Sequence, residues 1–251
     1  MPKFDKYTIF ARLFPAIIAA APAMALVWVI ISGRSLGVTQ AIAGILLAVL
    51  LMVFADVARR RGKLAEPRLI DRMGGLPSIT MLRHRDQTFD AQTKTRMHEA
   101  LAARLGEPPP TIEQEQADPP AADGFYTRGG TWLRENTRDK KKFDILFNEN
   151  VTYGYRRNLF ALKWPALALN VIIVAGSLAA YWFEIPPKYD LNLTPVYVIA
   201  FLHASYLAFY SSEETVREAS RTYARQLLLS TESPHLPAIK ASPRPRARKA
   251  R

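Results

Sequence analysis

The chain reads as an all-α membrane protein. Two transmembrane helical hairpins, four spans in all, flank a mainly helical cytoplasmic insert. Three observations predict this. Four windows, Leu13–Gly33, Ser35–Ala55, Trp164–Phe183 and Leu191–Ser212, contain no Asp, Glu, Lys or Arg. Each is about 20 residues, enough at about 1.5 Å per residue to cross a hydrocarbon core of roughly 30 Å. The windows also come in pairs, each pair joined by a short connection. Finally, three Lys or Arg precede the first window, twenty lie between the second and third, and nine follow the fourth. The two short connections hold one each, Arg34 and Lys188. Basic residues collect on the cytoplasmic side, so both termini and the middle segment are expected inside, in a multi-pass protein of the bacterial inner membrane.

The elements follow in order. Residues 1–12 form a cytoplasmic lead-in, and 13–56 the first hairpin. Lys3 and Lys6 before an apolar run resemble a secretory signal, but that run continues through Trp28 to Ile31 and a second span follows at once. A retained span is therefore expected. Pro15 and Pro22 are expected to kink it, which a bundle tolerates when neighbouring helices satisfy the freed carbonyls. The second span ends at Asp56. Arg59, Arg60, Arg61 and Lys63 then stop translocation and lie among anionic headgroups.

Residues 57–163 form the cytoplasmic domain. A helix is predicted over Asp90–Leu105, with Asp90 as N-cap, Met97, Leu101 and Leu105 on one face, and Gly106 as its stop. The stretch 107–123, EPPPTIEQEQADPPAAD, is rich in Pro and acid and is expected to be a mobile linker or lid. A second helix is predicted from near Asp123 through Phe125, Trp132 and Leu133, with Gly129-Gly130 counting against it. Residues 164–212 are the second hairpin, opened by the interfacial Trp164-Pro165 and bounded at its far end by Tyr181 and Trp182. Residues 213–230 read as a cytoplasmic amphipathic helix, with Val216, Tyr223 and Leu227 near one face. Residues 231–251 read as a disordered basic tail.

The formal charge of +12 is accounted for by topology and lipid headgroups, so nucleic acid is not an expected partner. With no cysteine, disulfide and thiolate chemistry are excluded. No phosphate-binding loop, nucleophile elbow or zinc-protease motif occurs. His84 and His98 beside Asp86 and Asp90 fit no metal-ligand spacing, so no metal and no cofactor is expected. The candidate ligand-binding groups are Arg83, His84 and Arg85, and Asn150, Tyr153, Arg156, Arg157 and Asn158. Arginines among short polar groups and aromatics suit two-point capture of a carboxylate or phosphate. A salt-bridged domain whose arginines meet lipid phosphates is the competing reading. Asn170 and His203 are the candidate polar groups inside the membrane, where an ionisable side chain carries a functional implication.

The segments GGLPSITMLRHRD and ENVTYGYRRNLFALK resemble parts of uncharacterised bacterial multi-span membrane proteins with an inserted cytosolic domain. The likeness covers about 90 residues of the middle segment. It implies that layout and attaches no activity. The expected function is non-enzymatic: a membrane sensor, scaffold or effector, of the kind found in phage defence. Its cytoplasmic domain binds a protein or anionic ligand and passes the change through Tyr153–Lys163 to the third span. A small channel or transporter using His203 and Asn170 is the alternative, and a membrane-bound enzyme on phosphorylated substrates the second. The expected partners are the lipid bilayer with its anionic headgroups, a cytoplasmic protein and a second copy of the chain.

Overall fold

The computed structural model describes residues 6–32, 38–183 and 192–237. The predicted turn at 33–37 with Arg34, the connection at 184–191 with Lys188, and the tail from 238 lie outside them, as do residues 1–5. Among the described residues every element is helical. The chain divides into two compact units, residues 1–74 with 148–220 and residues 75–147 with 221–251. The sequence reading placed the domain limits at 57 and 163 instead.

In the first unit a π-helical segment, Thr8–Leu13, runs directly into α1 (Phe14–Ile31). Ala16, Ala19 and Ala20 are fully buried. Their small side chains let α1 pack closely on α2 (Val38–Arg72) and α8 (Thr194–Tyr210). The fourth long helix, α7 (Asp144–Trp182), runs antiparallel to α8. Their register is fixed at three heights. Lys163 Nζ donates to the carbonyl of Ser211 at 3.0 Å, Asn170 Nδ2 to that of Ala200 at 2.8 Å, and the Ser177 hydroxyl to Tyr197 Oη at 3.3 Å. Lys163 thereby supplies a cation to the C-terminal end of α8, where carbonyls lack helical donors.

Two helical stretches, Thr8–Ile31 and α7, are long and apolar enough to cross a membrane. The 17-residue α8 is apolar but shorter, and α2 is apolar as far as Ala55 and charged from Asp56 onward. Large apolar side chains of this unit stand exposed, among them Trp28, Met52, Ile172, Phe201 and Phe209. On α7 two tryptophans stand exposed, Trp164 at 74% and Trp182 at 80%, the latter beside the equally exposed Tyr181. They lie eighteen residues apart, about 27 Å along the helix.

The second unit is organised around α4 (Ala91–Leu105) and α6 (Pro119–Asn136). As the sequence predicts, α4 starts at Asp90, whose side chain accepts from the Thr93 N–H at 2.9 Å, and stops at Gly106 with φ 73°. Met97 and Leu101 are fully buried, together with Leu82, Tyr126 and Leu133. Of the Gly129-Gly130 pair in α6, Gly129 has a packing reason. A Cβ on Gly129 would stand 2.9 Å from Leu101 Cδ1, so glycine lets α6 lie against α4. The short α3 (Pro77–Thr80) follows Gly75, whose φ of 124° suits glycine.

The stretch 107–123 departs from the expected linker. It forms α5 (Ile112–Ala117) and the first turn of α6. A capping box holds α5: the Gln114 N–H donates to Thr111 Oγ1 at 3.2 Å, and the Thr111 N–H to Gln114 Oε1 at 2.9 Å. Glu115 is buried. The acidic composition fits order here because the carboxylate has donors waiting for it. The last long helix, α9 (Glu213–Leu229), ends in a 3₁₀ turn at Ser230–Glu232. Of the apolar face predicted for it, Val216 and Leu227 are buried and Tyr223 is half-buried; Ala224 and Leu228 are buried as well.

Candidate functional site

The loop carrying Arg83, His84 and Arg85 is shaped by a buried lysine. Lys94, one turn into α4, sends its ammonium to the carbonyls of Arg83 at 2.8 Å and His84 at 3.4 Å, and to that of Asp86. Three carbonyls turned toward one point would repel each other without a cation, so Lys94 sets the loop's curvature. Burial lowers the Lys94 pKa, with Asp86 and Glu115 pulling the other way.

Beside the loop lies a cavity of about 420 Å³, lined by Arg83, His84, Arg85, Ile112, Glu115, Gln116, Pro119 and Asp123. That volume suits a small ligand. Arg83 presents its fork to Asp123, with Nε donating to Oδ1 at 2.9 Å and Nη2 to Oδ2 at 2.6 Å. This bidentate bond raises the Arg83 pKa against the effect of burial. Glu115 Oε2 accepts from the His84 N–H at 2.9 Å and from the Tyr126 hydroxyl at 2.7 Å. Burial, and then the bond to Glu115, raise the Tyr126 pKa. Both carboxylates of the cavity therefore hold internal donors.

Arg85 differs. It is exposed, lines the cavity, and has no hydrogen bond or ion pair among the described residues. The His84 ring donates to or accepts at Nε2 against the Pro110 carbonyl at 2.9 Å; since a carbonyl only accepts, Nε2 carries the proton. The same logic places a proton on His98 Nε2, 2.8 Å from the Leu82 carbonyl. The His98 ring stacks on Tyr126, and burial lowers its pKa. His98 is thus a neutral core residue. Among the described residues no group of three His, Asp or Glu is placed to hold a metal ion.

The second candidate group lies in the other unit, on α7. Its members are partly spent on structure. Glu66 of α2 accepts at Oε1 from Arg157 Nη1 at 2.7 Å and from the Tyr153 hydroxyl at 2.9 Å. The Arg157 guanidinium also lies over the Tyr153 ring, 5.4 Å from its centroid. Burial, then Glu66, raise the Tyr153 pKa. Asn158 Nδ2 donates to the Ala11 carbonyl, inside the π-helical segment, at 2.7 Å. That carbonyl is displaced from regular α-helical pairing, and Asn158 supplies a donor. A Cβ on Gly62 would meet Asn158 Oδ1, so the absence of a side chain there admits Asn158. Arg156 lies over Tyr155. Asn150 is half-buried one turn before Gly154.

Inside the apolar part of α7, Asn170 bonds both the Ala200 carbonyl and His203 Nδ1, the latter at 2.9 Å. The sequence singles out Arg83, His84 and Arg85 and, separately, Asn170 and His203; the structure sets the first three on one loop and bonds the last two to each other. Sequence reasoning missed Lys94, Glu115, Asp123, Tyr126 and Glu66. Their partners lie 8 to 91 positions away, beyond any local pattern. The Thr111–Gln114 capping signature, and Asp118-Pro119 as N-cap and first residue of α6, were the local signs that 107–123 holds helix.

No family model, curated protein or solved structure matches the chain. The site is therefore read from its own chemistry.

Proposed function

We propose that the chain is a four-span protein of the bacterial inner membrane, with both termini and the second unit cytoplasmic, and that it works as a non-enzymatic sensor, scaffold or effector. Its second unit binds a small anionic ligand in the cavity beside Arg85. The observation that carries the reading is a contrast of surfaces within one chain. The first unit exposes Ile, Leu, Phe and Trp broadly and ends its α7 segment in two exposed tryptophans about 27 Å apart. That separation matches a hydrocarbon core with aromatic belts. The second unit buries most of its large apolar residues, Ile112 and Ile145 apart, and opens a cavity whose lining includes the charged Arg83, Arg85, Glu115 and Asp123.

The charge state of the cavity supports an anion. Asp123 and Glu115 are engaged by Arg83, His84 and Tyr126, which leaves Arg85 as the cavity's cation without a partner among the described residues. The two remaining spans of the layout correspond to the charge-free halves of α2 and α8. The enzymatic alternative draws on the gathering of Glu115 and Asp123 beside Arg83. Asp123 is held through both oxygens by Arg83, and Glu115 takes two donors at Oε2, which favours a structural part for both carboxylates and binding over base catalysis.

The test is ligand binding by the full chain in detergent, with inorganic phosphate, ATP and succinate as probes and thermal shift as the readout. A shift with at least one probe, absent in Arg85→Ala and weakened in Arg85→Lys, supports the reading. No shift with any probe, or a shift unchanged in both variants, overturns it.

A further inference from the structure

His203 is a titratable side chain within an apolar helix, and it is 5% exposed. Its two ring nitrogens have different surroundings. Nδ1 lies 2.9 Å from Asn170 Nδ2, and an amide NH₂ only donates, so Nδ1 is the acceptor. A neutral ring must then carry its proton on Nε2. That atom is buried and forms no hydrogen bond of standard geometry, and the backbone group beside the ring is the carbonyl of Ile18 on α1.

Ile18 is four residues before Pro22, which lies inside α1. In a regular helix the Ile18 carbonyl would accept from the N–H of residue 22. Proline has none, so this carbonyl loses its helical donor. In hydrocarbon an unpaired carbonyl is costly, and neighbouring helices are the usual source of a substitute. The donor that lacks an acceptor and the acceptor that lacks a donor therefore face each other from adjacent helices.

We propose that His203 is a neutral latch joining three spans: its Nε2–H serves the Ile18 carbonyl that Pro22 leaves unpaired, and its Nδ1 holds Asn170 of α7. The inference stands apart from the ligand reading. It accounts for three residues at once, since Pro22, Asn170 and His203 each lack a full set of local partners and complete one another. The packing around the latch is tight and apolar, with Ala19, Leu207 and Ala200 buried. The latch fixes α1 against α8 and leaves His203 no free lone pair for relaying ions or protons.

A double-mutant cycle tests this on the full chain in detergent, read by the melting temperature. His203→Leu should lower it in the wild-type background. In the Pro22→Ala background, where residue 22 regains its N–H and Ile18 its helical bond, the same change should cost less than half as much. Equal losses in both backgrounds overturn the proposal. A second measurement needs no folded variant: ¹⁵N spectra of histidine-labelled wild-type chain in lipid at neutral pH. A neutral His203 ring protonated at Nε2 is expected, and a charged ring or an Nδ1–H tautomer contradicts the latch. Selective loss of the signal in His203→Gln assigns it.

Discussion

Glu66→Ala is expected to destabilise the first unit more than any other single removal of a surface-proximal charge. Glu66 receives two donors, Arg157 Nη1 and the Tyr153 hydroxyl, through one oxygen. The Arg157 side chain is only 14% exposed and that of Glu66 29%. Breaking a buried ion pair by deleting one partner costs about 3–5 kcal/mol, because the remaining charge is stranded. Exposed pairs cost about 0–1 kcal/mol. The partial exposure of Glu66 places the expected loss between, at about 2–3 kcal/mol. Arg157→Met with Glu66→Ala should cost less than the sum of the two single changes, since neither charge is then stranded. The assay is equilibrium unfolding of the full chain in detergent, with Tyr153→Phe as a control expected to cost about 1 kcal/mol. A Glu66→Ala loss below about 0.5 kcal/mol, or strict additivity in the double variant, would refute a structural ion pair. Arg157 would then return to lipid phosphates or a ligand.

Further expectations follow from the second unit. Lys94→Met should cost about 2–4 kcal/mol, because it strands the carbonyls of Arg83, His84 and Asp86; wild-type unfolding behaviour would contradict the role given to its ammonium. Deleting residues 113–119 removes Glu115 and the start of α6, so loss of protease resistance across 75–147 is expected, and an intact protease pattern would restore the linker reading. The lowered pKa of His98 means the unfolded chain takes up its proton first on acidification. Stability should be fully present above about pH 6.5 and fall below it, and His98→Gln should flatten that fall in unfolding curves recorded against pH. Gly62→Ala should displace Asn158 and lower the melting temperature by a few degrees, about the shift that 1 kcal/mol produces; no change would show that α2 yields freely there.

The elements most legible in the sequence were those governed by nearest neighbours. Asp90 and Gly106 bound α4 because capping acts within one turn. The charge-free windows marked where helices would be apolar. The 107–123 stretch misled because composition weighed more than pattern: its prolines and acids suggested disorder, while Thr111 and Gln114 carried the capping box. Gly129 of α6 misled likewise, since its value lies in the approach of Leu101, a contact between two helices. Arg83 and Arg157 looked like equivalent clamps in sequence. The structure gives each a carboxylate, from Asp123 and Glu66, at separations of 40 and 91 residues, and gives Arg85 none among the described residues.

The central claim is that an apolar four-span unit carries a cytoplasmic ligand-binding unit. Because the chain has no cysteine, single cysteines report sidedness without background. Gly37→Cys and Gly124→Cys variants would be treated in intact cells with a membrane-impermeant maleimide. The account predicts labelling of Gly37→Cys in intact cells and of Gly124→Cys only after lysis. Labelling of Gly124→Cys in intact cells would contradict it.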